Sequence, residues 1–198
     1  MTPRSTTSPG DSDLSDHSGR RLCRRLLQPR PGASSSSRPY ARGVSDPSET
    51  FATPRVAAGA LFFDETGRIL LVHPTYKDTW DIPGGYVERG ESPAAACRRE
   101  IAEELSLDRE PRALLSVDWA PSGKEGDKLL FVFDCGRLGD DAERIRLADD
   151  ELDRWQWVAL DDLESFVIPR LVRRLRSTAQ DGGPLYLEHG ETVAHVGR

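Results

Sequence analysis

Apolar positions gather into short runs broken by turn residues, and the first run opens shortly after Phe51. Val56–Phe63 (VAAGALFF) and Ile69–His73 (ILLVH) flank Asp64-Glu65-Thr66-Gly67, a combination that predicts a β-hairpin. Trp80-Asp81-Ile82 and Tyr86-Val87-Glu88 bracket Pro83-Gly84-Gly85, so two more extended pieces meet at a glycine turn. Ala113–Ala120 and Lys128–Cys135 (KLLFVFDC) read as a strand pair around residues 123–127, followed by an acidic loop over Leu138–Asp153. Trp155–Val158 reads as a last strand, and Pro169 starts a helix (PRLVRRLRS). In that helix Leu171 and Leu175 lie on one line, while Arg170, Arg173 and Arg174 lie off it and read as a solvated face. Beyond Thr178 the chain either adds one short strand or trails off. Strands, helix, strands, helix is an α/β arrangement.

The helix between the two halves carries the most information. Ser92 suits the N-cap and Pro93 the first helical position, where a missing N–H costs nothing. Ala94, Ala95 and Ala96 favour the helix. Ala94, Cys97, Ile101 and Leu105 give it a side to bury. Glu100, Glu103 and Glu104, spaced i, i+3, i+4, share one face about a quarter-turn away. Like charges so close repel and raise one another's pKa. A chain holds them cheaply only in water or around a cation, and all-oxygen carboxylate ligands suit Mg²⁺ or Mn²⁺. Taken alone, a charge run reads as a solvated surface. Gly84-Gly85, Gly90-Glu91 and the register of Arg99 argue for a metal site. Ser106 stands where a helix commonly ends on a left-handed glycine. Either it accepts that conformation, at about 1 kcal/mol, or the helix ends differently.

Composition adds bounds. Residues 1–50 hold eleven Ser and six Pro with almost no apolar period, a disordered composition. Within them Arg20–Leu27 (RRLCRRLL) is a short basic turn. Net charge is −6; residues 1–50 carry eight Arg against five acids, +3, which leaves −9 on residues 51–198. So acidic a body is a poor binder of nucleic-acid backbone. No apolar run is long enough to span a membrane. Cys23, Cys97 and Cys135 are widely spaced and odd in number, which fits a reducing cytoplasm and, for the last two, small core residues.

Gly85, Glu91 and then Arg99-Glu100-Ile101-Ala102-Glu103-Glu104-Leu105-Ser106-Leu107 resemble the box motif of the Nudix hydrolases, with Ser106 in place of a glycine. The resemblance covers about Val56 to Leu175. It implies the Nudix fold, a mixed β-sheet sandwiched between helices, with the box as loop-helix-loop. The domain division is then an extension over 1–50, a Nudix domain over 51–178 and a tail over 179–198. Implied too is Mg²⁺-dependent hydrolysis (Mn²⁺ as substitute) of a phosphoanhydride in a nucleoside diphosphate derivative. The partner is a small molecule, not nucleic acid or membrane, and a homodimer is an admissible assembly. The alternative is a Nudix-fold module that binds a nucleotide without turnover.

By the same resemblance Glu100 and Glu104 are the principal metal ligands, Glu103 a further ligand or base, and the Gly84 carbonyl a backbone ligand. Glu91 and Arg99 look like a supporting pair that fixes loop to helix. Families of this type recruit another acid from a later loop; Glu151 in DDELDRW is the first candidate and Glu125 the second. Of the aromatics Phe62, Tyr76, Trp80, Tyr86, Trp119 and Phe133, most belong in the core. Tyr86 and Trp119 are the better stacking candidates, and Lys77 and Lys128 lie where they could reach phosphate. The substrate stays open between an ADP-ribose-like molecule and an oxidised nucleoside triphosphate. Pro121 lies fourteen residues past Leu107, a loose match to the proline of ADP-ribose-cleaving relatives.

Overall fold

The computed structural model describes residues 51–148, 150–180 and 184–193; the expectations for residues 1–50 fall outside these. Among these described residues eight strands form one mixed sheet: β1 (Arg55–Phe63), β2 (Ile69–Pro74), β3 (Gly84–Tyr86), β4 (Ala113–Trp119), β5 (Lys128–Arg137), β6 (Leu152–Val158), β7 (Leu185–Glu188) and β8 (Glu191–Thr192). Their order is β6-β2-β1-β5-β4-β7-β8, with β3 joined to β1 off that path. β1 runs parallel to β5 along its whole length. Its other edge is shared: β3 takes Ala57–Gly59, and β2 meets it at Phe63. The sheet therefore forks along that edge. Asp81 bridges back to Val72, so residues 75–83 cross the fork.

Alternation along the strands sends neighbouring side chains to opposite faces. Ala58, Ala60 and Phe62 of β1, with Leu70 and Val72 of β2, pack under α1 (Pro93–Leu105). Leu61, Ile69 and Leu71 pack under α2 (Pro169–Gln180). Two cores, one on each face, make this a sheet between helices. Ile101 and Leu105 are fully buried, each contributing on the order of 1.5–3 kcal/mol. Ala94 is exposed, and Ala96 takes the buried place expected for it, because the helix turns its first residues to water. Cys97 and Cys135 are buried free thiols. No helix among the described residues is long and apolar enough to cross a membrane.

Four segments differ from the sequence pattern; in the first, the expected glycine turn is itself strand, since Gly84–Tyr86 forms β3 and Val87 and Glu88 lie outside it. Trp80–Ile82 is not a strand but a single bridge. The acidic stretch after Leu138 opens with a 3-10 turn over Gly139–Arg144, and β6 starts earlier than Trp155 because Leu152 pairs with Pro74. Past Thr178 the chain does add structure: β7 lies parallel to β4.

Ser92 caps α1 by accepting from Ala95 N–H at 3.2 Å. Ser106 ends it at φ 56°, ψ 32°, in the left-handed region, with its Oγ donating to the Arg146 carbonyl at 3.0 Å. Ser106→Gly relieves the strained backbone, and the lost hydrogen bond and greater unfolded-chain entropy offset part of the gain. The variant is expected to be more stable by a few tenths to about 1 kcal/mol, read from urea denaturation midpoints at unchanged m.

Candidate active site

α1 lies against β1 and β3, which sets its glutamates beside the Gly84–Gly85 strand. A Cβ on Gly85 would stand 2.7 Å from Glu100 Cδ, and one on Gly84 2.7 Å from Gly59 Cα. Gly84 also sits at φ 148°. Only glycines let β3 pair with β1 while the Glu100 carboxylate lies over it. Gly85→Ala is expected to fold and to lose activity by about a hundredfold, because the methyl pushes Glu100 aside. Circular dichroism and kcat measured together check this.

Arg99 organises the loop. Its Nε and Nη2 donate to the two Glu91 oxygens, each at 3.1 Å, and Nη2 donates again to the Tyr86 carbonyl. Nη1 donates to Glu100 Oε1 at 2.8 Å and Glu103 Oε2 at 3.0 Å. All five N–H donors are engaged. Glu91 is held below the ordinary carboxylate range, first by Arg99. It also accepts from Glu88 N–H, which closes the turn before the helix.

The three helix glutamates part company. Glu103 has 61% of its side chain exposed against 14% for Glu100, and Glu104 is 9% exposed. Glu104 Oε2 accepts from Gly84 N–H at 2.9 Å. Burial, with the charges of Glu100, Asp81 and Glu151 adding to it, outweighs that bond and pushes its pKa up to about 8. Glu100 is raised too, chiefly by burial. Glu104, Glu151, Asp81 and Lys77 line one small cavity of about 60 Å³. Among the described residues no three carboxylates, imidazoles or thiols stand close enough together to hold a metal ion between them. The guanidinium of Arg99 stands between Glu100 and Glu103 instead.

A larger cleft of about 510 Å³ adjoins this cavity, sharing Tyr76, Lys77, Asp81, Ile82 and Gly84 with it. Tyr86 stands at its rim with its hydroxyl donating to Glu125 Oε1 at 3.0 Å, while Lys128 lies 5.1 Å from the Tyr86 ring centre and pairs with Glu125. Glu125 thus belongs to the cleft and Glu151 to the cavity. Trp119 lines neither; it lies in β4 opposite Leu129, its carbonyl accepting from His189 N–H.

Two participants were not visible in the residue pattern. Asp81 lies in the crossing segment, with Lys77 bonded to it at 2.9 Å. Arg174, read above as solvated, is instead buried. Its Nε donates to Asp118 Oδ2 at 2.6 Å, and Asp118 is fully buried. The available signal was Asp118 itself, a lone carboxylate in the apolar strand ALLSVDW.

A family model for the NUDIX domain matches residues 53–181. YjhB of Bacillus subtilis, provisionally named an ADP-ribose pyrophosphatase, is 40% identical over 67 residues, 34% of this chain and 32% of that one. The match therefore spans about a third of that relative. A provisionally named 8-oxo-dGTP diphosphatase from the same organism is 30% identical over 129 residues, 63% of this chain and 81% of that one. Among solved structures, a MutT NUDIX hydrolase from Burkholderia pseudomallei superposes with a TM-score of 0.52 at 28% identity, covering 66% of this chain and 99% of that one.

Proposed function

The chain is a member of the NUDIX hydrolase family, and from that premise we propose that it hydrolyses a phosphoanhydride in a nucleoside diphosphate derivative with Mg²⁺ bound. The observation that carries this is Glu104: a buried carboxyl that accepts from Gly84 N–H, pairs with no Lys or Arg among the described residues, and shares with Glu151 and Asp81 a cavity adjoining a nucleotide-sized cleft. That donor set fits the ion. Its oxygens are carboxylate and backbone, and burial holds Glu104 protonated at neutral pH until a hard cation displaces the proton. Glu100, Glu104 and the Gly84 carbonyl would hold it. Glu103, turned to solvent and tied to Arg99, takes the lesser part. When bound, such an ion neutralises diphosphate charge and lowers the pKa of water.

The protein's own groups do the rest. Glu91 and Arg99 keep Glu100 over Gly85. Lys77 and Lys128 are placed along the cleft to meet phosphate oxygens, and Tyr86 offers a ring at its rim. Water adds to phosphorus, the bridging P–O bond breaks with its electron pair on the leaving phosphate, and the proton passes to a carboxylate. We assign that proton to Glu151, which faces the same cavity as Glu104. Trp119, outside both cavities, is not assigned to the substrate.

The test is a panel of nucleoside diphosphate sugars, dinucleotides, ADP-ribose and nucleoside triphosphates with Mg²⁺, scored by which phosphate products form. Turnover of at least one class that stops with chelator is the expected result. Tight binding without product across the panel would replace the hydrolase by a nucleotide-binding regulator.

A further inference from the structure

The charged side chains lining the large cleft are Lys77, Asp81, Glu125, Lys128, Arg170 and Arg174, and all but one have an ionic partner. Lys77 bonds Asp81 at 2.9 Å, Lys128 pairs with Glu125, and Arg174 gives its Nε to Asp118. Arg170 is the exception. It is half-buried, and its guanidinium has neither a carboxylate nor any other acceptor among the described residues. Arg170 and Arg174 are four apart in α2, a spacing at which like charges face one another and repel. Burial lowers the Arg174 pKa, Asp118 opposes that, and the Arg170 charge lowers it further. One carboxylate therefore answers two guanidiniums, and this wall keeps a positive charge in excess on a domain that is acidic as a whole.

Strand register shows what lies before that wall. Tyr86, Ala57, Leu130 and Asp118 are successive partners across β3, β1, β5 and β4, so they share one face of the sheet. Arg174 stands over Asp118 at one end of the row and Tyr86 at the other, three strand spacings or about 14 Å apart. Between them Ala57, and Gly59 in the next row, keep the floor low. Lys77, Asp81 and Gly84 belong both to this cleft and to the catalytic cavity. A diphosphate seated there leaves the rest of its substrate along the floor, with α2 beside it. Resting on the nucleotide-hydrolase reading, we propose that Arg170 is a specificity-determining residue that receives a phosphomonoester the substrate carries in addition to the phosphates of the anhydride that is cut. A guanidinium presents a planar fork matched to two phosphate oxygens, and such charged bonds are about twice as strong as neutral ones. A bare hydroxyl in that place would leave the excess charge unanswered. The added phosphate is borne either on the ribose or at the end of the phosphate chain, and both present the same group to Arg170.

The test compares ligands that differ by that one phosphate. Binding to the full chain is measured by calorimetry in chelator for ADP, for ADP phosphorylated on either remaining ribose hydroxyl, and for ATP. Mg²⁺-dependent hydrolysis of the same compounds is followed in parallel. One of the extended ligands is expected to bind about tenfold more tightly than ADP, and which one it is tells the ribose from the chain. In Arg170→Gln its advantage falls to within about twofold. Without ligand that variant should melt no lower than wild type, because it loses a repulsion and no bond. A fall of several degrees, or failure to fold, would make Arg170 a structural contact and overturn the inference. An advantage that survives in the variant puts the added phosphate on Lys77 or Lys128 and overturns it too, as do equal affinities or no binding of any ligand. Equal affinities beside intact hydrolysis sink the phosphate assignment and leave the hydrolase standing. Selective binding without hydrolysis does the reverse.

Discussion

Glu104→Gln lowers turnover by roughly three orders of magnitude and leaves the fold intact. The substitution keeps size, burial and an oxygen for Gly84 N–H, but removes the negative charge that would face a divalent ion. Loss of several kcal/mol of charge stabilisation, at about 1.4 kcal/mol per decade, gives that factor. A second readout does not depend on activity. In chelator, Glu104 keeps its proton in the folded protein to about pH 8, against an ordinary value of 4.5. Between those values the unfolded chain binds fewer protons than the folded one. The stability contributed by this group is therefore complete below 4.5 and drains away as pH rises through about 8. Urea midpoints of the wild type should fall from pH 5 to pH 8, recover with Mg²⁺, and stay nearly flat in the glutamine variant. A glutamine variant with wild-type kcat and an unchanged pH slope would remove Glu104 from the site.

Asp118→Ala is expected to destabilise the domain by about 3–5 kcal/mol, the usual cost of stripping one partner from a buried ion pair. Arg174 then keeps its charge in an apolar setting, and Gly190 N–H loses its acceptor. Against a total stability of about 5–15 kcal/mol, that change moves the unfolding midpoint far or abolishes folding. The double variant Asp118→Leu, Arg174→Met removes both charges and should regain most of the loss, since well-packed apolar replacements of buried pairs are often neutral. Denaturation of the single and double variants decides it. A single variant within 1 kcal/mol of wild type, on the scale of an exposed pair, would show that the pair is solvated.

What the residue pattern disclosed was local. Ser92, Pro93 and the left-handed Ser106 lie within one helix and its caps, and each is written in a few adjacent positions. Arg99 in the helix and Glu91 in the loop before it were paired by the resemblance, and the structure joins them through two hydrogen bonds. The convergence of Glu104 with Glu151 was suggested by resemblance, and Asp81 escaped notice because a bridging segment has no period to read. Arg174 escaped for a different reason. Helical periodicity gave α2 one buried line, through Leu171 and Leu175, yet Arg174 and Thr178 are buried as well. The second cover comes from the β7–β8 turn, where Gly190 lies so close that a Cβ there would stand 2.8 Å from the Arg170 carbonyl and the Arg174 nitrogen. A segment far along the chain decided which face of the helix is dry.

That late cover has a bearing on synthesis. A ribosome delivers β7 and β8 after every other described element, so α2 emerges before the turn that seals it. Until then Asp118 lacks the Gly190 N–H and one flank of α2 is wet. A nascent chain arrested short of Leu185 should be cut by protease near α2, and the released chain should resist.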